Sequence, residues 1–287
     1  MRGKAQKSLA LIAAAKEILE QIKPATVRAV CYLLFTRKLI PNMSKGSVAM
    51  VGEQLVYARE EEIIPWSWIV DETRSVERVE CWRDLEHHLD DFCKEHTIDP
   101  WEDQPERVMI VSEKGTVRGT LQGVLTEMRV RFLVAHGYAS ATAAYDLAQV
   151  SLEHDRPTRV IYVGDHDPSG MHMSEVDLPR RLQRYGGDVQ ITRVAITGDD
   201  VANSTLTFPA SEKTTDCRHR WYVENYGEDC MELDAMPPPD LRARVRQAIM
   251  AHIDGAAWEA SLEAEEAHRE RLDRPRDEIL AMLEEES

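Results

Sequence analysis

Three carboxylates stand where two apolar runs end. Arg107-Val108-Met109-Ile110-Val111 leads into Ser112-Glu113-Lys114-Gly115, and Val160-Ile161-Tyr162-Val163 leads into Gly164-Asp165-His166-Asp167-Pro168-Ser169-Gly170. Short continuous apolar runs mark strands buried on both faces of a parallel sheet. Ligands of such sheets bind beyond the carboxyl ends of the strands, so Glu113, Asp165 and Asp167 are expected at the edge where a site belongs. Asp165 and Asp167 are two apart and can share one side of an extended backbone, with His166 pointing away. Gly164 and Gly170 permit a tight path around them. Hard oxygen donors favour Mg²⁺ or Mn²⁺, and a divalent cation relieves the repulsion of like charges brought close. An Asp-x-Asp alone is common in surface loops; the acid after a second core strand is what makes the pattern specific. The bland alternative is two unrelated acidic loops.

A second group lies near the start of the chain. Arg28 and Tyr32 are one turn apart on a predicted helix and share a face, while Val27, Val30 and Leu34 lie on another and are expected in the core. A phenol with its usual pKa of about 10 is a poor nucleophile. A guanidinium beside it favours the phenolate and can hold a phosphate oxygen. On these residues alone Tyr32 reads as half-buried packing. Arg37, Lys38 and Lys45 flank the start of the next helix, and Lys114 adjoins Glu113; all four are candidate phosphate contacts. Lys213, Arg218 and Arg220 form a further possible patch. Each of these cations taken singly reads as a solvated charge. Trp66, Trp68 and Trp82 read as packing.

These residues need elements to carry them. Leu9 to Ile22 has helical apolar spacing. Pro24 precedes a second helix over 25–38, and Ser44 is an N-cap for a third reaching about Glu61. Ile63 to Val70 reads as a short extended hairpin element. Three helices followed by a β element is the order of a winged-helix domain, whose third helix would face a DNA groove. Residues 76–105 read as a connector, helical from Trp82 to Glu95. Then come the strand at 107–111, a helix from Thr116 to His136, the strand at 160–163, a helix from Ser174 to Tyr185 and a strand from Val189 to Thr197. Alternation of this kind implies an α/β layer with a mostly parallel sheet. Pro237-Pro238-Pro239 breaks the chain, and a helical acidic tail follows. The expected organisation is 1–75 winged helix, 76–105 connector, 106–236 metal-binding α/β domain and 237–287 tail.

Composition agrees with a globular protein: 287 residues, 43% hydrophobic and 30% charged. The net charge of -16 is uneven. Ten basic residues face three acids between Met1 and Arg59, whereas Glu259 to Glu286 is strongly acidic. This fits a basic DNA-contacting module on an acidic body. Five widely spaced cysteines without a Cys-x-x-Cys pair suggest neither a disulfide framework nor a zinc ribbon. No apolar run approaches the roughly 18 residues of a membrane helix. The basic start and short apolar run at Leu9–Ala15 read as an amphipathic helix rather than a signal peptide, so a cytoplasmic, nucleoid-associated protein is expected.

Glu113 together with Asp165-His166-Asp167-Pro168-Ser169-Gly170 resembles the Toprim domain. Upstream, Thr26-Val27-Arg28-Ala29-Val30-Cys31-Tyr32 resembles the segment of the topoisomerase VI A subunit and the related meiotic double-strand-break protein in which an Arg lies four residues before a catalytic Tyr. Glu232-Leu233-Asp234-Ala235 resembles the family's segment after its Toprim core. The likeness runs loosely from Lys16 to Pro239 and is strongest to the small standalone "mini-A" relatives; Cys31 stands where the family often has an aromatic. The resemblance implies a homodimer that cleaves double-stranded DNA, with Tyr32 of one subunit meeting the Glu113, Asp165 and Asp167 cluster and Mg²⁺ or Mn²⁺ of the other. Strand passage of the topoisomerase type would need an ATPase B-type subunit, which nothing in this chain resembles. Two alternatives stand beside this reading: a metal-dependent Toprim nuclease that uses water, and a DNA-binding protein without turnover.

Overall fold

Caps and apolar spacing set the first helices. The computed structural model describes residues 6–70, 81–135 and 141–285; Arg2, Lys4 and the expected helix end at His136 lie outside the described residues, as does the expected junction near 75. Helix α1 (Gln6–Ile22) buries Ile12, Ile18, Leu19 and Ile22. Helix α2 (Val27–Thr36) starts at Thr26, whose side chain accepts from the Ala29 N–H at 3.0 Å. Helix α3 (Lys45–Glu60) starts at Ser44, which accepts from the Ser47 N–H at 3.3 Å. Each such cap contributes about 1 kcal/mol. The three helices close on a shared core that includes Leu19, Val30, Leu34, Val51, Leu55 and Ile64.

The segment expected as a hairpin differs. Trp66–Trp68 forms a 3-10 turn behind Pro65, and the only pairing seen there among the described residues is a single bridge between Ala25 and Ile69. Pro65 has no N–H to give a ladder and its fixed φ suits a turn start. The two tryptophans lie under cations, Lys23 at 4.0 Å over Trp68 and Arg59 at 4.6 Å over Trp66.

Helix α4 (Leu85–Glu95) is capped by Asp84. Then follow β1 (Arg107–Ser112), α5 (Thr116–Met128), β2 (Arg131–Val134), α6 (Ala141–Leu152), β3 (Thr158–Val163), α7 (Pro168–His172), a π turn over Met173–Asp177, α8 (Leu178–Arg184), β4 (Val189–Ala195), α9 (Gly198–Asn203), β5 (Phe208–Pro209), α10 (His219–Tyr226), β6 (Asp229–Cys230), α11 (Pro238–Met250) and α12 (Gly255–Glu285). The expected α/β class holds: β1 to β4 make a parallel sheet in the order β2-β1-β3-β4. The single helix expected from Thr116 to His136 is instead α5 followed by β2. Arg129 ends α5 in the left-handed region (φ 48°) without a glycine to announce the turn. The prolines at 237–239 interrupt regular structure as expected and open helix α11. Pro238 sits at the first position of α11, where its missing N–H costs nothing.

Two compact units result, one from Met1–Arg74 with Val108–Ala251, the other from Ser75–Arg107 with His252–Ser287. In the first, one sheet face carries Met109, Val111, Val160 and Tyr162 against Leu147, Leu178 and Leu182 of α6 and α8. Helix α11 runs beside α5 and over β3 and β4. In the second, α4 lies against α12; the Ile98 N–H donates to Glu265 at 2.8 Å, and Trp101 meets Trp258 edge-on. No helix among the described residues is long and apolar enough to cross a membrane.

Candidate functional site

The strand order places a site before any side chain is considered. From β1 the chain crosses through α5 to β2 on one side, and from β3 it crosses through α7 and α8 to β4 on the other. The crossovers diverge between β1 and β3, and the crevice beyond the carboxyl ends at such a point is where open α/β sheets hold ligands. Glu113 follows β1 and Asp165 follows β3, so both acids open into this crevice.

The structure brings these acids together. Glu113 Oε1 accepts from the Asp165 N–H at 3.2 Å. Asp165 Oδ1 accepts from the Leu233 N–H at 2.7 Å and pairs with Lys114 Nζ at 2.7 Å. Asp167 caps α7 by accepting from the Gly170 N–H at 2.8 Å, and its other oxygen pairs with Lys213 Nζ at 3.2 Å. Gly170 is required here, because a Cβ would collide with the Asp165 carbonyl oxygen and come within 3.2 Å of Glu113 Oε1. His166 turns away as expected. It is buried and hydrogen-bonded to the Tyr222 hydroxyl at 2.7 Å, and burial with Arg193 nearby lowers its pKa to about 4.

Electrostatics show the crowding. Burial, then the charges of Asp165 and Asp167, push the Glu113 carboxyl up to about 7. Burial also raises Asp165, against the opposing pull of Lys114. Burial by itself would lower Lys114; the carboxylates of Asp165 and Asp234 outweigh it and hold the ammonium charged. As the side chains stand, no three His, Cys, Asp or Glu groups among the described residues form a ready ligand set. Lys114 and Lys213 instead take up part of the negative charge.

Two residues with no role assigned from the sequence build this edge. Arg193 on β4 lies beneath the acid loop, donating to the carbonyls of Gly164 at 3.1 Å, Asp165 at 3.2 Å and Gly170 at 2.7 Å. Asp234 accepts from Thr26 Oγ1 at 2.7 Å and from Lys114 at 3.1 Å. Arg193 had no signal beyond being a cation on a strand. Asp234 lay in a segment noted only for its resemblance.

The second group lands on the same segment. Arg28 holds Glu232 with two nitrogens, Nε to Oε2 and Nη2 to Oε1, the latter at 2.6 Å. The Tyr32 hydroxyl donates to Glu232 Oε2 at 3.1 Å. Tyr32 is 6% exposed, buried on the face opposite the three-helix core that Val30 and Leu34 fill. The guanidinium favours the phenolate as expected, but other effects outweigh it. Arg28 is engaged by Glu232, and burial followed by the Glu232 charge raises the Tyr32 pKa well above that of a free phenol. Among the candidate phosphate contacts, Lys114 sits in the site. Arg37, Lys38 and Lys45 are exposed on the three-helix part, with Arg37 paired to Glu17 at 3.2 Å. Lys213 joins the site through Asp167, whereas Arg218 pairs with Asp216 and Arg220 with Glu224.

No protein-family model and no curated protein matches this chain.

Proposed function

We propose that this protein cleaves double-stranded DNA by attack of Tyr32 on a backbone phosphate, with Glu113, Asp165 and Asp167 holding Mg²⁺ or Mn²⁺. One observation carries the reading. Arg28 and Tyr32, some 200 residues from Glu232 in sequence, are hydrogen-bonded to it, and the backbone N–H of the next residue, Leu233, binds Asp165. The tyrosine half and the acid half are thus joined by one short segment at the switch point of the sheet.

The acid residues fit a hard divalent cation. They are oxygen donors whose mutual repulsion and burial push Glu113 up to about 7, and Gly170 keeps a wall of the loop open where a Cβ would intrude. When bound, such a cation supplies charge stabilisation to a phosphate and to the leaving oxygen. Lys114 and Lys213 offer further positive charge at the same edge. The three-helix part, with Arg37, Lys38 and Lys45 exposed, serves as the winged-helix-like surface that tracks the duplex. The products are a phosphotyrosine linkage at the 5′ end and a free 3′ hydroxyl.

The test is supercoiled plasmid with Mg²⁺ or Mn²⁺, resolved with and without protease. Cleavage is expected to leave protein on the 5′ ends, and a Tyr32→Phe variant that cuts as well as wild type would remove the tyrosine from the chemistry. A second copy is needed to cut the second strand. Mixing Tyr32→Phe with Asp165→Asn chains restores nicking where a tyrosine serves the partner's acids, as the resemblance implies. It does not where a tyrosine serves its own, as the shared segment favours.

One observation favours a second reading, a nuclease in which water is the nucleophile: Tyr32 is buried and its pKa is raised. That enzyme leaves free 5′ phosphates and is indifferent to Tyr32→Phe.

A further inference from the structure

The carboxylate of Glu232 has a place but no role in the reading above. It accepts the hydrogen bond of the Tyr32 hydroxyl at 3.1 Å, while Arg28 Nη2 holds its other oxygen at 2.6 Å and Arg28 Nε shares the first. Two nitrogens of a planar guanidinium fix the plane of the carboxylate. The oxygen facing the phenol is therefore oriented as an acceptor. Arg28 cannot take a proton itself. The clamp comes from two distant parts of the chain: the α2 face delivers the phenol and the guanidinium, and the turn after β6 delivers the carboxylate. A pure packing contact needs neither the bidentate arrangement nor the placement beside Leu233, whose N–H binds Asp165 at 2.7 Å.

We propose that Glu232 is a catalytic base: it takes the phenol proton of Tyr32 as the phenol oxygen attacks phosphorus. This holds only if Tyr32 is the nucleophile proposed above. In the step, the Tyr32 Oη–P bond forms and the P–O3′ bond breaks. The electron pair leaves on the 3′ oxygen, which takes a proton from solvent water, while the tyrosine proton resides on Glu232. Religation runs the same transfers backwards. Arg28 is the positioning residue. It holds Glu232 before attack, and its charge offsets the phosphate that must approach this carboxylate.

The test measures the rate of covalent protein–DNA adduct formation with Mg²⁺ in wild type, Tyr32→Phe and Glu232→Gln, and in wild type and Glu232→Gln carrying 3,5-difluorotyrosine at position 32. Glutamine keeps an oxygen acceptor but cannot take a proton, so a loss of about 100-fold is expected. The fluorinated phenol ionises far more readily and is expected to recover at least about 10-fold of that loss, while changing the wild-type rate little. A merely structural role for Glu232 would not respond to the acidity of the phenol, so a loss that fluorination leaves untouched overturns the proposal. Wild-type rates in Glu232→Gln, with Tyr32→Phe inactive, overturn it while leaving the tyrosine mechanism standing. Undiminished cutting by Tyr32→Phe, or no adduct in wild type, removes both together.

Discussion

At Glu232 a half-buried carboxylate is matched, with a guanidinium on both its oxygens and a phenol donating to one of them. At Glu113, on the same edge of the sheet, a carboxylate meets a backbone N–H and two further acids whose charges work against it. The clamp is complete as it stands. The acid cluster carries more negative charge than Lys114 and Lys213 neutralise. A ligand can relieve such frustration, and in the proposed function the two halves have different jobs: the clamp prepares a nucleophile, and the acids hold a cation.

The largest effects should come from removing one central residue in each half. Tyr32→Phe is expected to lower DNA cleavage by roughly 10⁴-fold or more, as loss of a covalent nucleophile does, with melting behaviour little changed. Asp165→Asn is expected to cost about 100- to 1000-fold and, unlike Tyr32→Phe, to abolish stabilisation of the protein by Mg²⁺. Cleavage assays paired with thermal melts over a Mg²⁺ series separate the two. Equal Mg²⁺ stabilisation in wild type and Asp165→Asn would break the division of labour.

The acid half also predicts a pH dependence whose sign is fixed by Glu113. Its carboxyl moves from an ordinary 4.5 up to about 7 in the fold, so between those values the folded protein holds more protons than the unfolded chain. Its contribution to stability is therefore full below about 4.5 and is lost as pH rises through about 7. A loss on the order of 2 kcal/mol is expected across this window. Denaturant unfolding of wild type and Glu113→Gln at pH 5 and pH 8 checks it, with the variant expected to show the flatter profile. Saturating Mg²⁺ at pH 8 should restore much of the wild-type loss. If wild type gains stability from pH 5 to pH 8 relative to Glu113→Gln, the repulsion inferred at this edge is absent.

A smaller effect sharpens the same half through its backbone. In Gly170→Ala the new Cβ meets the carbonyl of Asp165, a main-chain atom that cannot swing aside. Overpacking of this kind costs about 1–3 kcal/mol. Gly164→Ala is a milder comparison, because its Cβ would press on the Tyr162 ring at 2.8 Å, a side chain with some freedom to shift. The expected order of melting temperatures is wild type, Gly164→Ala, Gly170→Ala.

How much of this was legible in the sequence follows the same division. The acids were readable because the two apolar runs that carry them are central strands, buried on both faces and so without polar interruption. The cap at Ser44 was equally direct, since a hydroxyl before a helical pattern has a local reason to be there, whereas Thr26 caps α2 at a position expected inside the helix. Edge strand β2 was not readable. It has four residues, one side partly exposed, and follows a helix that ends on an arginine. Helix α6 lies in a stretch where no element was expected from the sequence, between the expected helix end at His136 and the strand at 160. The clamp was half legible: helical spacing put Arg28 and Tyr32 on one face, but their shared partner lies 200 residues away, a tertiary relation that no local pattern carries. Arg193 was invisible because its five donors answer main-chain carbonyls and a serine hydroxyl, not a partner charge a reader could search for.

The smallest expected effects concern the surface of the three-helix part, which contrasts with both halves of the site in being exposed. Lys38 and Lys45 are solvent-facing and are the phosphate contacts of the proposed function, whereas Arg37 already shares its charge with Glu17 at 3.2 Å. A cation that contacts a phosphate releases counterions on binding, so removing it lowers the slope of log K against log salt by about 1 and weakens binding to all sequences alike. Lys38→Ala and Lys45→Ala are each expected to behave in this way in duplex-binding titrations over a salt series. Arg37→Ala should change the slope less, because the free protein gives up the Glu17 pair before Arg37 can reach a phosphate. Binding that keeps its full salt slope in the Lys38→Ala, Lys45→Ala double variant would move the duplex off this face, and leave Lys114 and Lys213 at the acid edge as the cations that meet it.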